Sequence, residues 1–356
     1  MAHLIQRNIS LLNRIIIYCA LPIACCQLQI AFSQDIHFSQ FYASPFNLNP
    51  ALAGQFDGDY RFILNQRTQW RSVTIPYNTW ALSVDSKDLA LPIDGMPSLK
   101  NLGLGLSFFT DKTGDSKLKT TSFQLASSYL VNLEEGKPHY ISPGIQLGLV
   151  GTSIDYTGLN YDNQWNGYVF DPGINPEESF ARDARTYFSI AMGIAYFNKP
   201  DSRKQVQVGI SFYNFNAARQ SWFDNSAVQL DPRLNIHAQY QFPVREVVDL
   251  EPSLLFMTQG TYIEFDVGAK GNYILLNEKG LYRSVYAGLF MRAKDAGFVV
   301  GGIKYDAWNV GVSYDINTSN LRPASNGRGG FEFSVIYILN HPSIIVRPPK
   351  VCPDYI

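Results

Sequence analysis

The sequence alternates, with a period of two, between bulky apolar residues and small or polar ones. Leu102, Leu104, Leu106 and Phe108 alternate with Gly103, Gly105 and Ser107. The same rhythm runs through Phe188–Tyr196, Val206–Phe212, Leu234–Tyr240, Ile263–Ala269, Trp308–Tyr314 and Phe331–Tyr337. Side chains on a strand point to opposite faces in turn, so each run is a strand with one apolar and one polar or tiny face. A soluble sandwich turns the apolar face inward, whereas a membrane barrel turns it to lipid and lines its lumen with the polar one. Three features favour the barrel. The runs span about 9–13 residues, against about 5–6 in soluble sheets. The polar faces carry Gly, Ser, Gln and Asn more than Lys and Glu. Aromatics gather near strand ends (Tyr60, Tyr77, Trp80, Tyr129, Tyr187, Tyr196, Tyr286, Tyr305, Trp308, Tyr337), where an interfacial girdle belongs.

The alternation predicts strands at 58–69, 75–86, 101–111, 119–131, 138–154, 184–198, 204–216, 232–242, 248–258, 260–272, 282–293, 297–305, 307–316 and 329–340. Their even number suits a single-chain antiparallel barrel, and closure removes the edge strands that lipid would not tolerate. The longest gaps, 155–183, 217–231 and 317–328, all follow odd-numbered strands. With both termini periplasmic, they fall outside the cell, as long outer loops and short periplasmic turns require. The gap 87–100 is a medium-length exception, with Pro92, Gly95 and Pro97 as turn chemistry.

Composition agrees. Only 17% of residues are charged, 14% are aromatic, and 29 basic residues nearly balance 30 acidic ones, which leaves no basic field for nucleic acid. An apolar content of 46% excludes disorder. The N-terminus reads as an address. Arg7 and Arg14 precede the apolar run Ile15–Ile23, and Ala31-Phe32-Ser33 offers a cleavage site before Gln34. Residues 1–33 are therefore expected to be a signal peptide, since the run is short for a spanning helix and Pro22 interrupts it. A lipoprotein acylated at Cys25 or Cys26 would need a Leu-led lipobox where Pro22 and Ile23 stand. Cleavage would leave Cys352 as the single cysteine, without an intramolecular partner.

Two segments fall outside the barrel at 58–340. Residues 34–57 are polar-aromatic with Pro45 and Pro50, and are expected to cap or enter the lumen from the periplasmic side. Residues 341–356 carry four prolines and make an extended periplasmic tail. Candidate chemistry is sparse. No His pair has metal spacing, and no cofactor is expected. His237 with Asn235 is the best case for a hydrolase dyad, but no activated Ser or oxyanion site accompanies it. The bland reading of His237 is a hydrogen-bonded lumen residue. Glu264, Asp266 and Lys270 share a predicted lumen face, with Arg292 and Lys304 on neighbouring strands. They read as a neutralising network filling the lumen, or as the lining of a polar path. The loop 155–183 holds Tyr156, Tyr161, Trp165, Tyr168 and Phe170 among Asn and Asp, suited to protein or glycan contact or to a mini-core of its own.

The run His37-Phe-Ser-Gln-Phe-Tyr42, then Asn49-Pro-Ala-Leu-Ala-Gly54, Tyr60-Arg61 and Asn65 to Trp70 resembles the opening of the PorP/SprF family of type IX secretion proteins of Bacteroidetes. Phe170-Asp171-Pro172, Gly329 to Glu332 and Cys352-Pro353 resemble the family as well, although Asp354 stands where a basic residue is usual. The resemblance implies an outer-membrane barrel that serves export or surface attachment of a particular cargo, such as an adhesin, bearing a type IX C-terminal domain. Other members are associated with gliding motility or with the system's periplasmic ring, so other secretion components are implied partners. Under that reading, protein contacts would come from His37, Phe38, Gln40, Phe41, Tyr42, Asn49, Pro50, Tyr161, Trp165, Tyr168, Phe170, Asp171, Cys352 and Pro353. The alternatives are a pore for small or lipidic solutes and a barrel-embedded lipid hydrolase.

Overall fold

The structure, a computed structural model, describes residues 35–340 except 70, 72–74, 89–99, 115, 157–158, 176, 178–181, 223–224, 226, 279 and 320–321. The expected signal peptide, Trp70, the turn residues Pro92, Gly95 and Pro97, and the tail with Cys352 and Pro353 lie outside the described residues. The described residues from 36 onward form one compact unit.

The strands are β1 (Tyr60–Gln69), β2 (Tyr77–Ser86), β3 (Leu102–Thr113), β4 (Leu118–Tyr129), β5 (Val131–Asn132), β6 (His139–Ser153), β7 (Ala184–Asp201) and β8 (Lys204–Tyr213). They continue as β9 (Arg233–Arg245), β10 (Val248–Gln259), β11 (Tyr262–Glu278), β12 (Leu281–Arg292), β13 (Ala296–Tyr305), β14 (Trp308–Asn317) and β15 (Arg328–Leu339). Each long strand pairs antiparallel with its neighbours in sequence, and β1 pairs with β15 from Tyr60↔Leu339 to Thr68↔Phe331. The result is a closed barrel of fourteen strands. The two-residue β5 continues the edge of β4 after a break, pairing Val131 with Ile141. Pro143 falls in that break, between the β4 ladder starting at Gly144 and the β5 ladder ending at Ile141, where its missing N–H costs little.

All fourteen predicted strands are present, and their ends agree within three residues except at β11. This strand runs to Glu278, beyond the expected 272, because the ladder with β12 shifts between Ile274 and Leu276. The shift puts Tyr273-Ile274-Leu275-Leu276 in sequence without alternation, so period two stops before the strand does.

The apolar faces point outward. Leu82, Leu106, Phe123, Leu147 and Phe188 are all more than half exposed, and Phe188 reaches 69%. Buried on the other face are Asn65, Asp85, Ser122, Ser142, Asp249, Asp266 and Asn317. This is the inverse of a soluble protein and matches a barrel whose outer wall meets hydrocarbon. Trp80, Tyr129, Tyr305 and Trp308 are exposed near strand ends, where a girdle requires them. Tyr286 is a correction to that girdle: it is buried inside the barrel, and its hydroxyl donates to Asn309 Oδ1 at 3.1 Å. Parity explains it, since β12 turns Ser284, Tyr286 and Phe290 inward.

The lumen is not wholly polar. Phe197, Leu255, Phe290, Phe298 and Val300 point inward and pack on Phe41, Leu48 and Leu52 of the N-terminal segment. Leu147→Arg on the outer face of β6, between Leu125 and Ile190, is expected to destabilise the barrel in bilayers by about 2–4 kcal/mol. Reversible denaturant unfolding in lipid vesicles measures it, and a change below about 0.5 kcal/mol would mean that this face does not touch hydrocarbon.

Candidate functional site

Residues 36–56 run inside the barrel as three single helical turns, at Phe41–Ala43, Pro45–Leu48 (α1) and Pro50–Leu52. Pro45 and Pro50 each open a turn, where a proline costs no helical hydrogen bond. The Asn49 side chain caps the last turn by accepting from Ala51 N at 2.9 Å. So short a helical segment leaves many backbone groups unpaired, and burial makes each of them costly.

The barrel wall supplies the partners. The Glu332 carboxylate accepts from the Ser39 and Gln40 amides at 2.8 and 2.9 Å, and Asp85 accepts from Gly54 N at 2.8 Å. Arg67 donates to His37 O at 2.9 Å, Asn65 to Ala43 O at 3.1 Å and Tyr213 to Phe46 O at 2.9 Å. Ser211 and Asn235 both donate to Leu48 O, Ser142 to Ala51 O and Ser128 to Ala53 O, within 2.6–3.0 Å. Arg61 holds Asp85 in a forked pair while donating to Leu52 O at 3.1 Å.

Charge is organised around this plug in three places. In the first, Arg292 stands 3.5 Å from Glu264, 3.2 Å from Asp266, 3.3 Å from Asp295 and 3.5 Å from Asp315. Arg67 reaches Asp315 at 3.1 Å and Glu332 at 3.9 Å. Ser39 sits between them, donating its hydroxyl to Asp315 and accepting from Arg292. His37 lies 3.9 Å from Glu264, and burial pushes its imidazole down to a pKa of about 3, so it is neutral at neutral pH. In the second place, Lys270 pairs with Glu251 at 2.9 Å, and its ammonium lies 3.4 Å from the centre of the Tyr42 ring. Gln239 and Asn272 also donate to Glu251. Lys304 lies 6.0 Å from the Tyr286 ring centre and Lys270 5.6 Å from the same ring. In the third, Asn49 Nδ2 lies 3.2 Å from His237 Nε2 and from the carbonyls of Ile194 and Ile210. Gly193 and Gly209 flank this contact, and a Cβ on either would collide with Asn49, or with His237 as well at Gly209.

The sequence-derived lumen residues are thus inside the barrel, but as three groups, with Lys304 beside the second. Asn235 holds plug carbonyls at Asn47 and Leu48 rather than His237. Phe38, Gln40, Phe41, Asn49 and Pro50 are buried, and His37 and Tyr42 are half-buried. The contacts they make here are with the barrel's own wall. At the other end, Trp165 and Phe170 bridge the base of a tight hairpin, and Gln164 is buried beneath it. Trp165 is 57% exposed and Tyr168 is 89% exposed, and Asp171 is exposed while Tyr161 is half-buried. Among the described residues, Trp165 and Tyr168 reach outward. Arg67, Asp85, Glu251, Asp315 and Glu332 were not singled out by sequence, although each sits at an inward parity in its strand. A charged residue within such a run was the available signal.

Fold and site together define a membrane β-barrel that holds its own N-terminal segment in the lumen. Residues 30–337 match the family described as type IX secretion system membrane protein PorP/SprF, and the chain belongs to that family. No curated protein matches the sequence. Among solved structures, the chain is similar to the Ralstonia pickettii toluene transporter TbuX at 9% identity and TM-score 0.47, covering 82% of this chain and 92% of that one. It is also similar to the CymD monoaromatic hydrocarbon channel at 12% identity and TM-score 0.44, covering 84% and 93%. Similarity to a Pseudomonas aeruginosa FadL homologue stands at 10% identity and TM-score 0.37, covering 81% and 92%.

Glu332→Ala removes both acceptors of the Ser39 and Gln40 amides and unbalances Arg67. It is expected to cost about 2–6 kcal/mol, because two buried amides lose their acceptors at about 1–3 kcal/mol each, while Arg67 keeps Asp315 at 3.1 Å. Hydrogen exchange at residues 39–40 reads this directly: the two amides lose their protection while the barrel strands keep theirs.

Proposed function

We propose that this protein is an outer-membrane component of type IX secretion, needed for export or surface anchoring of a specific secreted cargo such as an adhesin. The family supports the system, and the filled lumen supports the role. With residues 36–56 bonded along their length to the wall, the barrel acts as a membrane-held platform rather than an open conduit. Export through a leader cleaved before Gln34 brings it to the outer membrane. The exposed hairpin with Trp165, Tyr168, Phe170 and Asp171 offers the contact for cargo on the outer side, and the Tyr161 amide donates to Gln164 Oε1 at its base at 3.1 Å. The tail with Cys352 and Pro353 serves contacts with other secretion components in the periplasm, as do His37 to Tyr42 and Asn49-Pro50 should the plug withdraw. A gliding-type role belongs to the same reading. The fold and family are those of a secretion-system barrel rather than of an enzyme class.

Two experiments test this. A deletion strain is expected to lose one large surface protein while other cargoes of the system remain displayed, and display of every adhesin at the parental level would overturn the proposal. In planar bilayers the intact protein is expected to give no steady conductance, and a variant lacking residues 36–56 is expected to conduct. Steady solute-selective conductance by the intact protein would favour the pore.

A further inference from the structure

Lys112, near the end of β3, and Lys119, near the start of β4, stand directly opposite one another across the two strands. Both are exposed. Lys112 is in phase with Leu106 and Phe108, and Lys119 with Phe123 and Leu125, so both belong to the outward, lipid-facing side. Like charges placed opposite each other on a ladder repel. Neither ammonium has an ion partner among the described residues. Lys117, in the turn between them, is already paired with Asp155 at 2.9 Å, and both line the same rim. With Trp80, Thr110 and Asn78, the lysines line an outer groove of about 480 Å³.

A second groove, of about 550 Å³, lies on the same strands toward the middle of the barrel. Its sides are Leu82, Leu106, Phe123, Leu147 and Phe188, and small residues such as Ser107 and Gly148 form its floor. Lys112 lies four residues beyond Phe108 along β3, which is about 13 Å. Thr110 and Thr121 intervene and face each other across β3 and β4. The wall therefore grades from an apolar trough through a threonine band to a basic rim, with Trp80 at the boundary as an interfacial aromatic.

We propose that these two grooves together bind one phosphate-bearing lipid, its headgroup on Lys112 and Lys119 and its acyl chains in the apolar trough. The surface lies at membrane depth, so lipid is what covers it, and the charge selects an anionic headgroup. The same barrel end carries the long connections 154–183 and 214–232, which directs it outward. The lipid is therefore one of the outer leaflet, a phosphorylated glycolipid of the lipid A kind. This site is independent of any role in secretion.

The test uses the full-length protein purified in neutral detergent, with lipid A as probe and native mass spectrometry as readout. Wild type is expected to retain lipid A and to show no preference for phosphatidylcholine. The Lys112→Gln/Lys119→Gln variant is expected to bind lipid A about 30-fold more weakly, since each lysine near an anionic headgroup contributes about fivefold. The heat-dependent gel shift of both proteins shows that the barrel is folded. Leu106→Trp, which fills the trough without changing charge, is expected to weaken retention as well. Equal retention by the double-lysine variant would overturn the proposal, and so would complete displacement of lipid A by millimolar inorganic phosphate. The latter would leave an anion site without a lipid.

Discussion

A polar group at membrane depth has no water to turn to, and everything in this protein follows from that constraint. Closure of β1 on β15 satisfies the backbone of the wall. It also sorts the side chains, because a two-residue period must then give every strand one face to lipid and one to the lumen. The low overall charge and the Gly- and Ser-rich inner faces express the same sorting. Inner charges are kept where other charges or backbone groups answer them, as Arg292 is answered by Glu264, Asp266, Asp295 and Asp315.

The plug extends the constraint inward. A chain segment made of single helical turns cannot satisfy itself, so it is stable in the lumen only if the wall is written to match it. Glu332 meets amides, while Arg67, Asn65, Ser211, Ser142 and Ser128 meet carbonyls. Each net hydrogen bond contributes about 1 kcal/mol, but leaving one of these buried groups unpaired costs about 1–3 kcal/mol. The match therefore specifies position more than it adds stability. Asn49 shows this most sharply, since Gly193 and Gly209 make room for it and His237 faces it. Apolar packing of Phe41, Leu48 and Leu52 on Phe197, Leu255 and Phe298 supplies the remaining attraction.

The wall was legible in the sequence because its rule is local. A strand announces its two faces residue by residue, and the one large boundary error, at β11, arose where a bulge breaks the rhythm. The site was legible only in part. Glu264, Asp266, Lys270 and Arg292 could be placed in the lumen from parity, but their division between an arginine cluster and a lysine–tyrosine site depends on which strands face across the barrel. That is long-range information. Glycine gave a readable sign that composition alone does not interpret: Gly103 and Gly105 lie where Ala53 and Phe46 of the plug press on β3. The aromatic content of the hairpin at Trp165–Phe170 could be read from sequence, but not the Gln164 bonds to Ile174 O and Asp171 N that brace it.

The central claim is that hydrocarbon, and not protein, covers the bulky face of every strand. Nitroxide labels placed one at a time along residues 121–127 of β4, in a Cys352→Ser chain reconstituted into bilayers, test it most directly. The account predicts a two-residue oscillation, with positions 123, 125 and 127 open to oxygen dissolved in the lipid and closed to a water-soluble relaxation agent. Labels at those positions that respond to the aqueous agent, as on a water-soluble domain, would contradict it.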